Sequence, residues 1–261
     1  MIRDNPVKAA LAAGGTSFGT MIFEFFSPGI PQLCRNAGAD FVLFDMEHTG
    51  LGFETLKTQA ALCRGLGIVP MARVPRGEYQ FIARALDVGA FGVMVPMVGT
   101  AEEARHIVAC TRYPPDGRRG AAFGFAHDDY QGGDVESKIA ALHARTMTIV
   151  QIETDDGLAN VDAIAAVPGV DALWIGQFDL TNFLGIPGRF DDSRFQRAVD
   201  RIVDACRKHG KTPALLAMDD SWAPYAARGF RLLAYGVDHL LLQGALAHGL
   251  AVMREAHGKK G

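Results

Sequence analysis

The sequence predicts a closed (β/α)8 barrel, on three observations. Short β-branched or apolar runs recur at intervals of roughly 30 residues, the length of a βαβ repeat, and a longer segment with helical spacing of its apolar positions follows each. Eight such runs fit into 261 residues, and α/β barrels close as one unit at typically about 250 residues. The competing open, doubly wound sheet lacks its signature, because no G-x-G-x-x-G follows the first run and no Walker-type loop occurs.

The first strand is expected over Gly19 to Phe23, and the second over Phe41 to Asp45, an apolar run closed by a carboxylate. Parallel neighbours need crossover connections, and Phe53 to Arg64 has the spacing of the helix that leads to the third strand, Ile68 to Arg73. A helix over Gln80 to Val88 leads to the fourth strand, Gly92 to Pro96, and another follows over Ala101 to Thr111. The period then breaks: Tyr113 to Ala144 opens with the turn Tyr-Pro-Pro-Asp-Gly and closes in a helix over Val135 to Ala144. Connections longer than about 12 to 15 residues are more often lids or interface arms than idle linkers, so this one is expected to be functional. The fifth strand is Thr148 to Glu153, the sixth Ala172 to Gly176, the seventh Thr212 to Ala217 and the eighth Leu232 to Gly236. Helices over Val161 to Ala166, Asp192 to Lys208 and Leu240 to His257 complete the series. With no Pro- or Ser-rich linker, residues 1–261 read as a single barrel domain.

Composition excludes several classes of partner. Hydrophobic residues make up 49% of the chain, and 26 Lys and Arg face 29 Asp and Glu with no basic stripe, so no nucleic-acid partner is expected. No run reaches the roughly 18 apolar residues of a membrane span, and the start lacks a secretory apolar stretch, so a cytoplasmic protein without membrane contact is expected. The four cysteines, Cys34, Cys63, Cys110 and Cys206, lie far apart on helix-like stretches and read as buried free thiols.

In a parallel barrel the active site is built at the carboxyl ends of the strands. The second strand ends Phe44-Asp-Met-Glu-His48, two carboxylates and an imidazole within four residues. A carboxylate that bonds one imidazole nitrogen leaves the other as a base, so Asp45 and His48 form a candidate acid–base dyad; the bland alternative is a solvated loop. Arg73 ends the third strand, where it either holds a substrate carboxylate or enolate or forms a structural ion pair at the rim. Gln151 and Glu153 end the fifth strand, and Asp179 follows the sixth. Glu153 and Asp179 on neighbouring strands repel unless a cation bridges them or one is protonated, and an all-oxygen pair suits Mg²⁺ or Mn²⁺. Gly176 allows close backbone approach, and the amides from Gln177 to Asp179 are placed to donate to a substrate carboxylate.

These residues sit in a pattern that resembles the HpcH/HpaI aldolase family of metal-dependent pyruvate aldolases, over nearly the whole chain. The resemblance is carried by Asn5-Pro-Val-Lys-Ala-Ala-Leu11, Phe44-Asp-Met-Glu-His48, Leu86-Asp-Val-Gly89, Val95-Pro-Met-Val98, Arg112-Tyr-Pro-Pro115, Val150-Gln-Ile-Glu-Thr154 and Ile175-Gly-Gln-Phe-Asp-Leu180. It implies that Glu153 and Asp179 ligate the metal, Mg²⁺ or Mn²⁺ with Co²⁺ or another transition metal admissible. It implies that His48, backed by Asp45, handles protons, and that Arg73 contacts the pyruvate-derived moiety. Gln151, Gly176, Phe178 and Asp179 complete the substrate site. It further implies a homohexamer, a trimer of dimers that exchange their last helix, with Asp87 reaching a neighbour's site; otherwise Asp87 is a solvated helix end.

The chain departs from the family pattern where many members have Gly-Pro-Ala-Asp or Gly-Pro-Ser-Asp and this one has Gly176-Gln-Phe-Asp179, with a bulky ring beside the metal turn. About Met21 stands where some relatives carry a tryptophan, and Phe123-Gly-Phe-Ala-His127-Asp-Asp-Tyr130 replaces an arginine-containing stretch. The expected reaction is class II aldol cleavage or formation of a 4-hydroxy-2-oxo acid, a 2-oxo acid plus an aldehyde, through a metal-stabilised enolate. A Schiff-base route is disfavoured because Lys8, Lys57, Lys138, Lys208, Lys211, Lys259 and Lys260 all fall on helices, turns or a strand start. Two alternatives stand beside it. One is an acyl-CoA lyase of the citrate lyase beta-like superfamily, with Arg118-Arg119 as its phosphate patch; the other is a non-catalytic binding barrel.

Overall fold

Every strand of the computed structural model, which describes residues 2–219 and 223–258, is parallel to its neighbours. The strands are β1 (Ser17–Ile22), β2 (Phe41–Asp45), β3 (Val69–Arg73), β4 (Gly92–Val95), β5 (Met147–Ile152), β6 (Ala172–Ile175), β7 (Thr212–Ala217) and β8 (Leu232–Val237). They pair in chain order, and β8 returns to β1, which closes the barrel. The sequence places all eight, β2 and β7 to the residue and the others within one or two residues at each end.

Strands buried on both faces alternate between two apolar layers. Phe41, Leu43, Met71, Met94, Ile149 and Trp174 point into one cluster that fills the barrel. Val42, Phe44, Val93, Val150 and Leu173 point outward under the helices. A short helix that the periodicity does not reveal, α1 (Pro6–Ala12), adds Val7 and Leu11 to the inner cluster and plugs the amino-terminal end. Its start is set by Pro6 in the first turn and by the Asn5 side chain, which accepts from the Lys8 amide.

The outer ring holds α2 (Ile30–Asn36), α3 (Phe53–Leu62), α4 (Tyr79–Asp87), α5 (Ala101–Thr111), α6 (Val135–Arg145), α7 (Asp155–Ala159), α8 (Val161–Ala165), α9 (Gln177–Phe183), α10 (Ser193–His209), α11 (Ala223–Ala227) and α12 (Asp238–Ala256). Thr100 and Glu103 form a capping box that starts α5, and the buried stripe of α10 runs from Phe195 to Cys206. By contrast α12 buries none of its residues in this chain and exposes Leu241, Leu242, Leu246, Leu250 and Met253. No helix among the described residues is long and apolar enough to cross a membrane.

The long 113–144 connection lies at the floor, since it joins the carboxyl end of α5 to the start of β5. Arg3 grips Asp129 at 2.6 Å, and Asn5 donates to the Arg145 carbonyl at 3.0 Å. It therefore cannot act as a lid over this chain's own mouth. Cys63, Cys110 and Cys206 are buried and Cys34 half-buried, all free, and burial pushes the Cys34 thiol up to about 11 and Cys63 and Cys206 up to about 12. Lys259 and Lys260 lie outside the described residues.

Candidate active site

The carboxyl ends of the strands open on a cavity of about 390 Å³ lined by His48, Arg73, Gln151, Glu153, Gly176, Phe178 and Asp179 among others. Its polar side begins with strand register. Asp45 pairs with Arg73 across β2 and β3, so the two side chains leave the barrel together, and Arg73 Nε donates to Asp45 Oδ1 at 2.5 Å. Arg73 Nη1 lies 3.1 Å from Glu47 Oε2, the guanidinium sits 5.4 Å from the Phe23 ring centre, and Nη2 has no hydrogen-bond partner.

The Asp45–His48 dyad does not take the expected form. Asp45 accepts from the backbone N–H of His48 at 2.9 Å and of Glu47 at 3.3 Å, so its carboxylate closes the loop instead of bonding the imidazole. The carboxylate facing the ring is Glu47, whose Oε2 lies 3.6 Å from His48 Nε2. His48 is exposed at the mouth.

Glu153 follows β5 and is almost fully buried. Its Oε1 accepts from the Met97 amide at 2.6 Å, and its Oε2 accepts from Gln151 Nε2, leaving Gln151 Oε1 unpartnered. Met97 holds a left-handed backbone with φ 58°, a costly geometry for a non-glycine residue that aims its amide at the carboxylate. Asp179 lies in the first turn of α9, a helix where the sequence suggested only a turn. Burial pushes the Glu153 carboxyl up to about 7; the Met97 amide opposes this, while Glu47 and Asp179 add to it. Burial likewise lifts Glu47 to about 7, against the pull of Arg73 and with the push of Asp45 and Asp179. A Cβ on Gly176 would overlap Glu153 Oε2 and stand 2.6 Å from Gln151 Nε2, so glycine is what lets the backbone lie against this carboxylate.

This donor set suits a hard divalent cation. Crowded carboxyls lifted by burial and by each other are relieved by positive charge between them. No group of three or more His, Cys, Asp or Glu side chains among the described residues forms a ready cage. Glu153 and Asp179 would thus supply two positions and leave the rest to water and substrate, the habit of Mg²⁺ and Mn²⁺ sites.

Residues 22–245 match the family model described as HpcH/HpaI aldolase/citrate lyase. The chain belongs to this family. It is 34% identical over 251 residues to a hydroxypyruvate/pyruvate aldolase of Roseovarius nubinhibens, covering 96% of this chain and 97% of that one. It is 35% identical over 255 residues to a 5-keto-4-deoxy-D-glucarate aldolase of Klebsiella pneumoniae, covering 98% and 94%. The crystal structure of an HpcH/HpaI aldolase from Desulfitobacterium hafniense superposes with a TM-score of 0.92 at 28% identity, over 95% of this chain and 96% of that one.

Sequence reasoning places His48, Asp45, Arg73, Gln151, Glu153, Gly176, Phe178 and Asp179 within one HpcH/HpaI mouth, and the structure brings them together there. Asp87 is elsewhere, at the carboxyl end of α4, where Arg119 Nη2 donates to it at 2.6 Å. Phe23, Met97 and His239 were missed. His239 lines the cavity from the first turn of α12, two residues after β8, a position the sequence left between the predicted strand and helix.

Proposed function

We propose that this protein is a divalent-cation-dependent aldolase that cleaves or forms 4-hydroxy-2-oxo acids, yielding pyruvate or a related 2-oxo acid and an aldehyde. The observation that carries the reading is one cavity presenting Glu153 and Asp179 for a cation, Arg73 for an oxyanion and His48 for a proton. The aldolase names of its relatives support it. Held by Glu153 and Asp179, Mg²⁺ or Mn²⁺ supplies electrophilic polarisation of the 2-oxo acid.

Arg73, anchored by Asp45, orients the oxo acid through its remaining Nη2 donor, and the first amides of α9 take its carboxylate. His48 accepts the C4 hydroxyl proton. The C3–C4 bond then breaks, its electron pair passes to C3, and the aldehyde leaves. Arg73 stabilises the resulting enolate until C3 takes a proton. Glu47, beside the His48 ring, is a positioning residue that orients the imidazole and disperses its charge.

The assembly reading is a cytoplasmic homohexamer, a trimer of dimers exchanging α12, and the exposed apolar residues of that helix support it. The acyl-CoA reading shares the family description, but the phosphate patch expected for it is absent beside the mouth: among the described residues Arg119 is buried on Asp87 at the floor.

Proton NMR of pyruvate in deuterated water tests the proposal before any aldehyde is known. The expected result is methyl exchange with Mg²⁺ or Mn²⁺ that stops on chelation. Absence of exchange with every divalent metal overturns it.

A further inference from the structure

The mouth is chemically divided. The ends of β2, β3 and β5 and the turn after β6 supply His48, Arg73, Gln151, Glu153 and Asp179. The opposite arc, from β7 through β8 to β1, supplies Leu216, Met218, Val237, Leu240, Met21 and Phe23 to the same cavity. His239 is the one polar side chain among the described lining residues of that arc. Phe178 lines the cavity from the first turn of α9, half-exposed and braced edge-on by Phe190 at 5.2 Å. Behind Leu216 and Met218, a second space of about 90 Å³ is lined mainly by apolar side chains, Phe190, Phe195 and Leu215 among them, with Gln177 and Asp219 as its polar members.

Among the described residues of this chain, cations at the mouth are confined to the polar arc. Arg73 is held by Asp45 and Glu47, and no Lys or other Arg lines the cavity among the described residues. A second carboxylate on the aldehyde would meet Glu153, Asp179 and Glu47 on one side and hydrocarbon on the other. A polyhydroxylated chain would lose its water against the same wall without regaining hydrogen bonds. Asp238, at the rim of the arc, is already engaged by the amides of Phe23, Glu24 and Phe25.

Resting on the aldolase reading above, we infer that the carbonyl partner of this enzyme is an apolar aldehyde, branched alkyl or aryl, whose chain lies on Phe23, Phe178, Leu216, Met218 and Leu240. The 2-oxo acid occupies the polar arc, so the substituent at C4 of the aldol leads across the mouth onto this wall. Cleavage of the C3–C4 bond leaves the electron pair with the 2-oxo acid, and the C4 oxygen becomes the carbonyl of the departing apolar aldehyde. Each methylene buried on the wall favours the apolar substrate by about fourfold.

The test is aldol addition of pyruvate to 3-methylbutanal, benzaldehyde, glyceraldehyde and succinic semialdehyde by the purified full-length oligomer with Mg²⁺ or Mn²⁺. The expected kcat/KM for 3-methylbutanal exceeds those for glyceraldehyde and succinic semialdehyde by tenfold or more. Phe178→Ser and Met218→Gln should each lower that ratio at least fourfold. A preference for the hydroxylated or carboxylated aldehyde, or a ratio unmoved by both substitutions, overturns the inference while pyruvate methyl exchange upholds the aldolase reading. Loss of exchange itself in the unmodified protein defeats that reading, and this inference with it.

Discussion

At the floor of the barrel Asp128 is fully buried, and its carboxyl is still held below the usual range: burial pushes it up, but the Gly124 amide and the Lys138 ammonium at 2.8 Å more than offset that. Asp129 is held down in the same way by Arg3 and Arg145. At the mouth Glu153 is also buried, and burial, reinforced by Glu47 and Asp179, lifts its carboxyl to about 7, because the Met97 amide and an Arg73 already engaged by Asp45 and Glu47 offset it only in part. The floor neutralises its carboxylates within the chain, whereas the mouth leaves carboxyls that a proton or a cation from outside would neutralise. Unrelieved carboxylates in a cleft are the mark of a site shaped for a ligand at some expense of stability.

Substitution at the two ends should separate these roles. The largest effect is expected for Glu153→Ala, a loss of about 10³-fold in metal-dependent kcat/KM. Its thermal midpoint should fall less than that of Asp128→Ala, because the lost acceptor for the Met97 amide is partly offset by relief of the repulsion from Glu47 and Asp179; calorimetry beside steady-state kinetics reads both. An equal or larger fall would erase the contrast. At the floor, Asp128→Ala leaves the Lys138 ammonium buried without its carboxylate and should cost about 3 to 5 kcal/mol in urea unfolding.

His48→Ala should slow turnover by about 10²-fold, the usual contribution of one general base, while pyruvate binding measured by titration calorimetry stays near the original affinity. The smallest effect is the pH dependence of stability. Asp128 and Asp129 have folded pKa values below their unfolded ones, so their contribution is complete above the ordinary carboxyl range near 3.9 and is lost as pH falls through the lower, folded values. Burial, with Arg119 and Arg145 nearby, also lowers His127, and its contribution fades as pH drops below about 6.5, where the unfolded imidazole takes up a proton. Glu47 and Glu153, lifted to about 7, act in the opposite sense, because below that pH the folded protein takes up protons that the unfolded carboxyls do not bind until about 4.3. Denaturant midpoints should therefore rise from about pH 8 toward about pH 5, with His127 opposing, and fall below about pH 4. Asp128→Asn should flatten that fall.

The strands were legible because each is a short apolar run buried on both faces, and a floor-to-mouth repeat leaves little freedom in ordering them. The Asp45–Arg73 pair follows from the same register, since both residues end adjacent strands, but spacing assigned Asp45 to His48 and named no partner for Arg73. What was hidden depended on short elements and on tertiary closure. The five- to seven-residue helices α1, α2, α7, α9 and α11 are too brief to show a period. The imidazole partner was misassigned because Asp45 satisfies its own loop, a local competition that spacing alone does not decide. His239 reaches the mouth only because β8 runs to Val237 and α12 starts at once, so no linker separates them.

The three amides that Asp238 gathers from Phe23, Glu24 and Phe25 join segments 213 to 215 positions apart along the chain. Closing such a clasp is least costly once the strands between have assembled, so the Phe23 wall of the mouth is expected to order late, which pulse-labelled hydrogen exchange at the amides of Phe23, Glu24 and Phe25 would read.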